Sequence, residues 1–397
     1  MLIGVVGKPS SGKSTFFNAA TMMDVPMASY PFTTIEANKA VGFVRVDCVD
    51  KEFKVQCNPR TGFCHNGTRF VPVELVDVAG LVPGAHLGKG KGNQFLSDLS
   101  RANVLIHVVD ASGSTNEKGE PVPQGSHNPN EDIAFLEEEL DMWLLGILNK
   151  HWDKLSRTPF ESKTQGITTL TQNLSGIGAN EKQVESTLKQ LNLLEKPLKD
   201  WSEDDKKIFA KNLREKSKPI VIAANKMDLP SAKENIEKMK NEFPDKKIIP
   251  CSGISELTLK RAAKEGSIDY VQGGSSFEIK GELNEKQQKG IEYIKTHVLE
   301  PFESTGVQEV LEKAVFELLG FIAIFPGGTK GLTDSKGNVL PDCFLMPPKS
   351  TALDFAFALH TDFGNKFIKA IDVKTKQLIG KDHELKNRDV IEIVHGN

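Results

Sequence analysis

The chain is short of several things, and each shortage excludes a class of protein. Cysteine is sparse: Cys48, Cys57, Cys64, Cys251 and Cys343 are five residues in 397. An odd, irregularly spaced set argues against a disulfide framework. Long apolar runs are missing, and no stretch approaches the ~20 residues that cross a bilayer. The chain opens at once on a strand-like run, with no room for a signal peptide. A cytoplasmic protein without a membrane partner is expected. A dominant charge is also missing: 50 Lys and Arg against 53 Asp and Glu leave a formal net charge of −3. That excludes a polybasic nucleic-acid binder, and no specific DNA contact is expected. Any RNA contact must be a local patch or a shape-based site. Apolar residues at 39% and charged residues at 26% are ordinary for a globular chain.

Cys48, Cys57 and Cys64 lie close together, with His65 next. Their spacing matches no standard zinc pattern. Buried packing is the expected role, and a metal or redox site the alternative.

What the chain does have is a phosphate loop. Gly7, Lys8, Pro9, Ser10, Ser11, Gly12, Lys13 and Ser14 fit the pattern of two glycines followed by Lys and Ser, with Thr15 next. Residues 2–6 read as a buried strand before it, and 13–23 as a helix after it. Backbone N–H groups and the helix N-terminus would hold phosphates. Lys13 would reach the β- and γ-phosphates, and Ser14 would ligate Mg²⁺. One loop later, Thr34 sits where a nucleotide-sensing segment belongs, able to offer its hydroxyl to Mg²⁺ and its N–H to the γ-phosphate. A solvated turn is the equal alternative there.

Strands are expected at 40–48, 51–57 and 70–76, with a loop at 58–69. Asp77-Val-Ala-Gly80 ends the last strand. Asp77 would hold Mg²⁺ through water, and the Gly80 N–H would contact the γ-phosphate. A glycine-rich loop at 81–93 carries His86, which could swing toward the phosphates. A helix at 94–101 and a buried strand at 104–109 follow. Residues 128–148 read as a helix with an Asn128 cap and an apolar seam. Further helices continue to about residue 215. A buried strand at 218–224 then ends in Asn225-Lys226-Met227-Asp228. There the Asp228 carboxylate can accept from guanine N1–H and the 2-amino group together, donors that adenine lacks. Asn225 would tie this loop to the phosphate loop, and the Lys226 stem would lie on the base. After a strand at 248–250, backbone N–H groups of Ser252, Gly253 and Ile254 could touch guanine O6. Two helices, 286–298 and 307–319, precede a tail with strands at 322–325, 339–346, 367–373 and 389–395 and one helix at 350–360.

The order of these motifs is that of a translation-factor-type G protein. Tyr30-Pro-Phe-Thr-Thr, Gly80-Leu-Val-Pro-Gly-Ala-His and Gly88-Lys-Gly-Lys-Gly-Asn-Gln-Phe-Leu resemble the Obg family, particularly its YchF branch. The tail from Pro347 to Gly364 resembles a TGS domain. The resemblance implies an α/β fold: a P-loop G domain, its mostly parallel sheet flanked by helices, with an α-helical insertion and a C-terminal ubiquitin-like β-grasp TGS domain. The expected boundaries are 1–118 and 216–320 for the G domain, 119–215 for the insertion and 321–397 for the TGS domain. It also implies slow nucleotide hydrolysis on or near the ribosome or structured RNA, by a monomer, through the TGS domain and the insertion. Lys13, Thr34, Gly80 and His86 are the expected catalytic set, with GTP and Mg²⁺ as ligands. Three features depart from relatives. Members close to YchF replace the base-reading Asp and favour ATP, whereas Asp228 is retained. Leu81 stands where other G proteins have a water-orienting Gln. Ser10 stands where many relatives carry an Asn that helps bind potassium. An ATPase in the YchF manner and an RNA-bound scaffold with a structural nucleotide are the rival readings.

Overall fold

In the computed structural model, the described residues are 1–22, 38–78, 80, 98–150, 152–157 and 162–396. Seven strands form the main sheet: β1 (Leu2–Val6), β2 (Lys39–Asp47), β3 (Phe63–His65), β4 (Thr68–Asp77), β5 (Val104–Asp110), β6 (Ile220–Asn225) and β7 (Lys247–Pro250). Their order is β2-β4-β1-β5-β6-β7, with β3 on the outer part of β4. The pairs β4–β1, β1–β5, β5–β6 and β6–β7 are all parallel. β1 and β5 are buried along their whole length, which suits strands covered on both faces. Register sets Asp77 beside Val5 and Asn225 beside Asp110, so the carboxyl ends of these strands share one edge. In open parallel sheets that edge is where ligands bind.

The helices follow from local signals. α1 (Lys13–Thr21) starts directly after the phosphate loop. α2 (Pro129–Lys150) has its second amide, that of Asn130, donating to Asn128 Oδ1 at 3.2 Å. α3 (Trp152–Arg157), α4 (Lys163–Asn173), α5 (Glu181–Gln190) and α6 (Glu203–Ser217) follow. α5 and α6 open on reciprocal capping boxes, Asn180 with Gln183 and Ser202 with Asp205. Leu136, Leu140 and Trp143 of α2 and Phe209 of α6 share one apolar core with Leu2, Val6 and Leu105 of the sheet. These helices therefore lean on the sheet as well as on each other. Ile208 of α6 is half exposed. α7 (Ala232–Glu242) and α8 (Gly253–Lys264) pack around β6 and β7, and β8 (Ile268–Asp269) pairs with β9 (Glu278–Ile279) as a separate ribbon.

The chain divides into two compact units. The first comprises residues 1–22, 38–40 and 74–310 of those described. The second comprises 41–73 and 311–396. The second holds a five-stranded sheet ordered β11-β10-β14-β12-β13, from β10 (Ile322–Pro326), β11 (Phe344–Met346), β12 (Phe367–Asp372), β13 (Leu378–Ile379) and β14 (Val390–His395). A helix, Ala352–Leu359, crosses it and buries Phe355, the β-grasp arrangement expected of the tail.

Three local expectations are corrected. Residues 51–57 are not a strand: a 3-10 turn at Val49–Lys51 leads into irregular chain. The expected loop at 58–69 instead contains β3, because Asn66 (φ 51°) and Gly67 (φ 81°) make a two-residue turn that pairs His65 with Thr68. Asn-Gly is the pair such a turn favours. Strand β11 covers only Phe344–Met346, since Leu340 has φ 44° and Pro341 follows it. The helix expected at 94–101 lies partly outside the described residues; 98–101 are helical.

His107 on β5 is buried, and burial first, then the Lys8 cation, push its imidazole down to about 3. An unfolded chain binds that proton near pH 6.5 and the folded chain does not. Stability is therefore lost as pH falls from about 6.5 toward 3, at up to ~1.4 kcal/mol per pH unit from this group. Urea unfolding across that window should show a shallower decline for His107→Leu than for the wild type. An unchanged slope would contradict the assignment.

Candidate functional site

The phosphate loop turns at Ser10 (φ 61°) and Gly12 (φ 89°) before entering α1. Gly12 is required by packing as well as by conformation. A Cβ there would stand 2.2 Å from Asn225 Nδ2, and one on Gly7 would stand 2.6 Å from the Val108 carbonyl. Asn225 is the cross-brace of the site. Its Nδ2 donates to Ser11 O at 3.0 Å, and its Oδ1 accepts from Gly253 N–H at 3.0 Å. One amide at the end of β6 thus joins the phosphate loop, the Asn225–Asp228 loop and the first turn of α8. α8 approaches α1 closely, with Gly253 facing the backbone of Phe16.

The charged residues are distributed less simply than their motifs suggest. Lys13 Nζ is ion-paired with Asp77 Oδ1. Ser14 is exposed and Thr15 half-buried. Gly80 lies against the loop, its Cβ direction 3.7 Å from Pro9 and 3.8 Å from the Gly7 carbonyl. The Lys8 side chain is spoken for. It is buried, donates to Thr115 O at 2.8 Å and pairs with Asp132 of α2 at 2.8 Å. His127 Nε2 bonds the same Asp132 at 2.8 Å. Only the Lys8 main chain is left to serve a phosphate. Thr34, Leu81 and His86 lie outside the described residues.

In the Asn225–Asp228 loop, Lys226 (φ 65°) places its ammonium 2.9 Å from Asp110 Oδ2. Asp110 is fully buried, and its oxygens also accept from Ser112, Ser114 and Thr115 hydroxyls. Burial works to raise this carboxyl's pKa, but Ser112, Lys226 and Thr115 hold it below the usual value. The Asp228 carboxylate is different. Its Oδ1 is buried and has no hydrogen-bond partner among the described residues. Two of the three amides expected to meet the base are engaged internally. Ser252 N–H donates to Thr305 O at 2.9 Å, and Gly253 N–H to Asn225. The amide of Ile254, whose side chain is exposed, is the remaining candidate.

Sequence reasoning missed Asp110, Thr115, His127 and Asp132, and the loop between β5 and α2 that carries two of them. Gly119 (φ 80°) in that loop lets it close on the phosphate loop, since a Cβ would sit 2.6 Å from Pro9. The available signal was an Asp at the end of a buried strand followed by Ser112, Ser114 and Thr115, a ready set of hydroxyl donors.

This is the nucleotide site of a P-loop G domain. Comparison with known proteins places it more narrowly. Residues 2–150 match the model of the 50S ribosome-binding GTPases, 223–327 that of the G4 motif-containing domain of Obg-like GTPase YGR210-like proteins, and 333–395 that of the TGS domain. An uncharacterized GTP-binding protein of Methanocaldococcus jannaschii is 46% identical over 99% of this chain and 98% of its own. The ribosome-binding ATPase YchF of Bacillus subtilis is 27% identical over 95% of this chain and 89% of its own. The crystal structure of a GTP-binding protein from Pyrococcus horikoshii superposes with a TM-score of 0.79 at 41% identity, covering all of both chains. The chain belongs to the Obg-like, YchF-related family of P-loop GTPases, with a C-terminal TGS domain. Among the described residues no helix is long and apolar enough to cross a membrane.

Replacing Asn225 by Ala removes both of its bonds and leaves two buried partners unsatisfied, at about 1–3 kcal/mol each. Chemical denaturation should show a loss of that order, together with weaker nucleotide binding by titration. A variant of wild-type stability and affinity would remove Asn225 from its bracing role.

Proposed function

We propose that this protein is a Mg²⁺-dependent GTPase switch that hydrolyses GTP slowly and works, as a monomer, on the ribosome or a structured RNA. The observation that carries the guanine reading is Asp228 Oδ1, buried and unpartnered at the end of the Asn225–Asp228 loop. A buried carboxylate oxygen without a donor is costly. Guanine N1–H and its 2-amino group supply the donors, and adenine leaves the cost in place.

The donor set assigned to Mg²⁺, from Ser14, Thr34 and Asp77, is all oxygen and suits a hard cation. Bound there with the triphosphate, the ion would neutralise charge on the β- and γ-phosphates. Lys13, now paired with Asp77, would turn to the phosphates, which carry more charge than one carboxylate. Lys13 and the Gly80 N–H then stabilise the charge that develops as water attacks the γ-phosphate in line. Thr34 helps to place the water through its backbone, and His86 is the side chain offered from the following loop. Leu81 cannot hold a water by hydrogen bonds. Unassisted turnover near ~10⁻⁴–10⁻³ s⁻¹ follows, as for a G protein without its activator.

The relative named a ribosome-binding ATPase supports the ribosome as partner, and the TGS domain offers a surface. Phe367 packs into the TGS core, and Ile368 is exposed at 61%. The exposed Lys366 and Lys369 flank it. Reversing both charges, Lys366→Glu with Lys369→Glu, should reduce co-sedimentation with ribosomes and its salt sensitivity while leaving GTP affinity intact. Undiminished co-sedimentation would move the contact elsewhere.

The guanine reading has a sharper test. Asp228→Asn presents a donor where xanthine has an oxygen and guanine an amino group. The variant should lose at least ~100-fold in GTP affinity, about 2.7 kcal/mol, and gain affinity for xanthosine triphosphate. Unchanged GTP affinity would refute the role of Asp228.

A further inference from the structure

The hairpin region of the second unit holds a side-chain set that the nucleotide site leaves unused. Cys48, Asp50, Cys57 and Cys64 each offer one ligand atom, and these four atoms lie within 4.8 Å of one another. Cys48 Sγ and Cys57 Sγ are 3.6 Å apart, and Cys64 Sγ is 3.9 Å from Asp50 Oδ2. Two thiolates on a tetrahedral zinc, each about 2.3 Å from the metal, stand about 3.8 Å apart. Cys48, Asp50 and Cys57 are buried, and Cys64 is half-buried. The carboxylate is oriented: Asp50 Oδ1 accepts from Lys51 N–H at 2.8 Å, which leaves Oδ2 for the sulfurs. The irregular chain that carries the set is tied at both ends, Cys48 N–H to Gly67 O at 2.8 Å and Val55 N–H to Asp50 O at 3.0 Å.

A second observation comes from a different residue. Arg69 is fully buried, and its Nε and Nη1 have no hydrogen-bond partner among the described residues. Among the described residues, Nη2 donates to the Leu340 carbonyl. A buried, half-unpaired guanidinium is expensive unless negative charge stands near. Arg69 lies close enough to Cys48 and Cys57 to act on both electrostatically. A dication held by three thiolates and a carboxylate keeps a net negative charge, which is the complement Arg69 lacks.

We propose that Cys48, Asp50, Cys57 and Cys64 form a structural zinc site. Three thiolates select a borderline-soft metal over Mg²⁺ or Ca²⁺, and four protein ligands leave no open position for catalysis. His65, the ligand the sequence offered beside Cys64, is exposed and its Nε2 pairs with Asn66 at 3.0 Å. Asp50 takes its place. The site would pin the end of β2 to β3. Through Arg69, which also lies 5.7 Å over the Phe325 ring, it would set the TGS strands against that hairpin.

The test is metal content of the full chain, purified under reducing conditions with zinc supplied and then dialysed. Elemental analysis should find about one zinc per chain in the wild type and in His65→Ala, and a loss of most of it in Cys57→Ala and Cys64→Ala. Cobalt(II) exchanged into the wild-type protein should show thiolate-to-metal charge transfer and the intense visible bands of a tetrahedral centre. Asp50→Asn keeps all three thiols and reads the fourth ligand should a cysteine variant fail to fold. Its cobalt spectrum should change in the visible bands while charge transfer persists. Wild-type protein that retains no zinc and gives no charge-transfer band would overturn the proposal. So would a Cys48–Cys57 disulfide found by peptide mapping in metal-free protein.

Discussion

The nucleotide site depends on one side-chain amide. Asn225 ends a buried strand, and its two polar atoms serve different segments, one donating to Ser11 O and one accepting from Gly253 N–H. Because Gly12 has no Cβ, the amide can lie against the phosphate loop. Because Asn225 lies on β6, beside β5 and two strands from β1, the bond holds the phosphate loop and the Asn225–Asp228 loop at a set separation. A nucleotide is a ligand of fixed length, and that separation is what a preorganised site must supply.

Around this brace the chain keeps its charges paired and buried. Lys8 and His127 both meet Asp132, and Lys226 meets Asp110. Buried pairs of this kind add little net stability, but removing one partner is expensive, about 3–5 kcal/mol. Their effect here is positional. Lys8 anchors the phosphate loop to α2, and Lys226 anchors the Asn225–Asp228 loop to the end of β5. The polar groups left over at the strand ends are then few, and Asp228 Oδ1 is one of them. A site in which most charges are satisfied and one carboxylate is not discriminates between ligands by the donors they bring.

Much of this was legible in the sequence, and the reason is local. A phosphate loop between an apolar strand and a helix, and an Asn-Lys-Met-Asp run at the end of another, are each specified by contiguous residues. So are the Ser202 cap of α6 and the helix of the tail. What was not legible depends on chain segments that meet only in the fold. Nothing near Lys8 announces Asp132, 124 positions away, so the partner of its side chain is not readable from the motif. The amides of Ser252 and Gly253 were offered to the base because their partners, Thr305 and Asn225, are distant. The cysteines read as ends of strands because 51–57 looked extended. The Asn66-Gly67 turn, a signal that was present and passed over, folds β3 back and brings Cys64 to Cys48 and Cys57.

The central claim is that Asp228 selects guanine, and competition binding of GTP and ATP to the wild-type protein with Mg²⁺ tests it most directly. The account predicts a preference for GTP above ~100-fold, about 2.7 kcal/mol. Equal affinity, or tighter binding of ATP, would contradict it and place the chain with the ATP-using relatives.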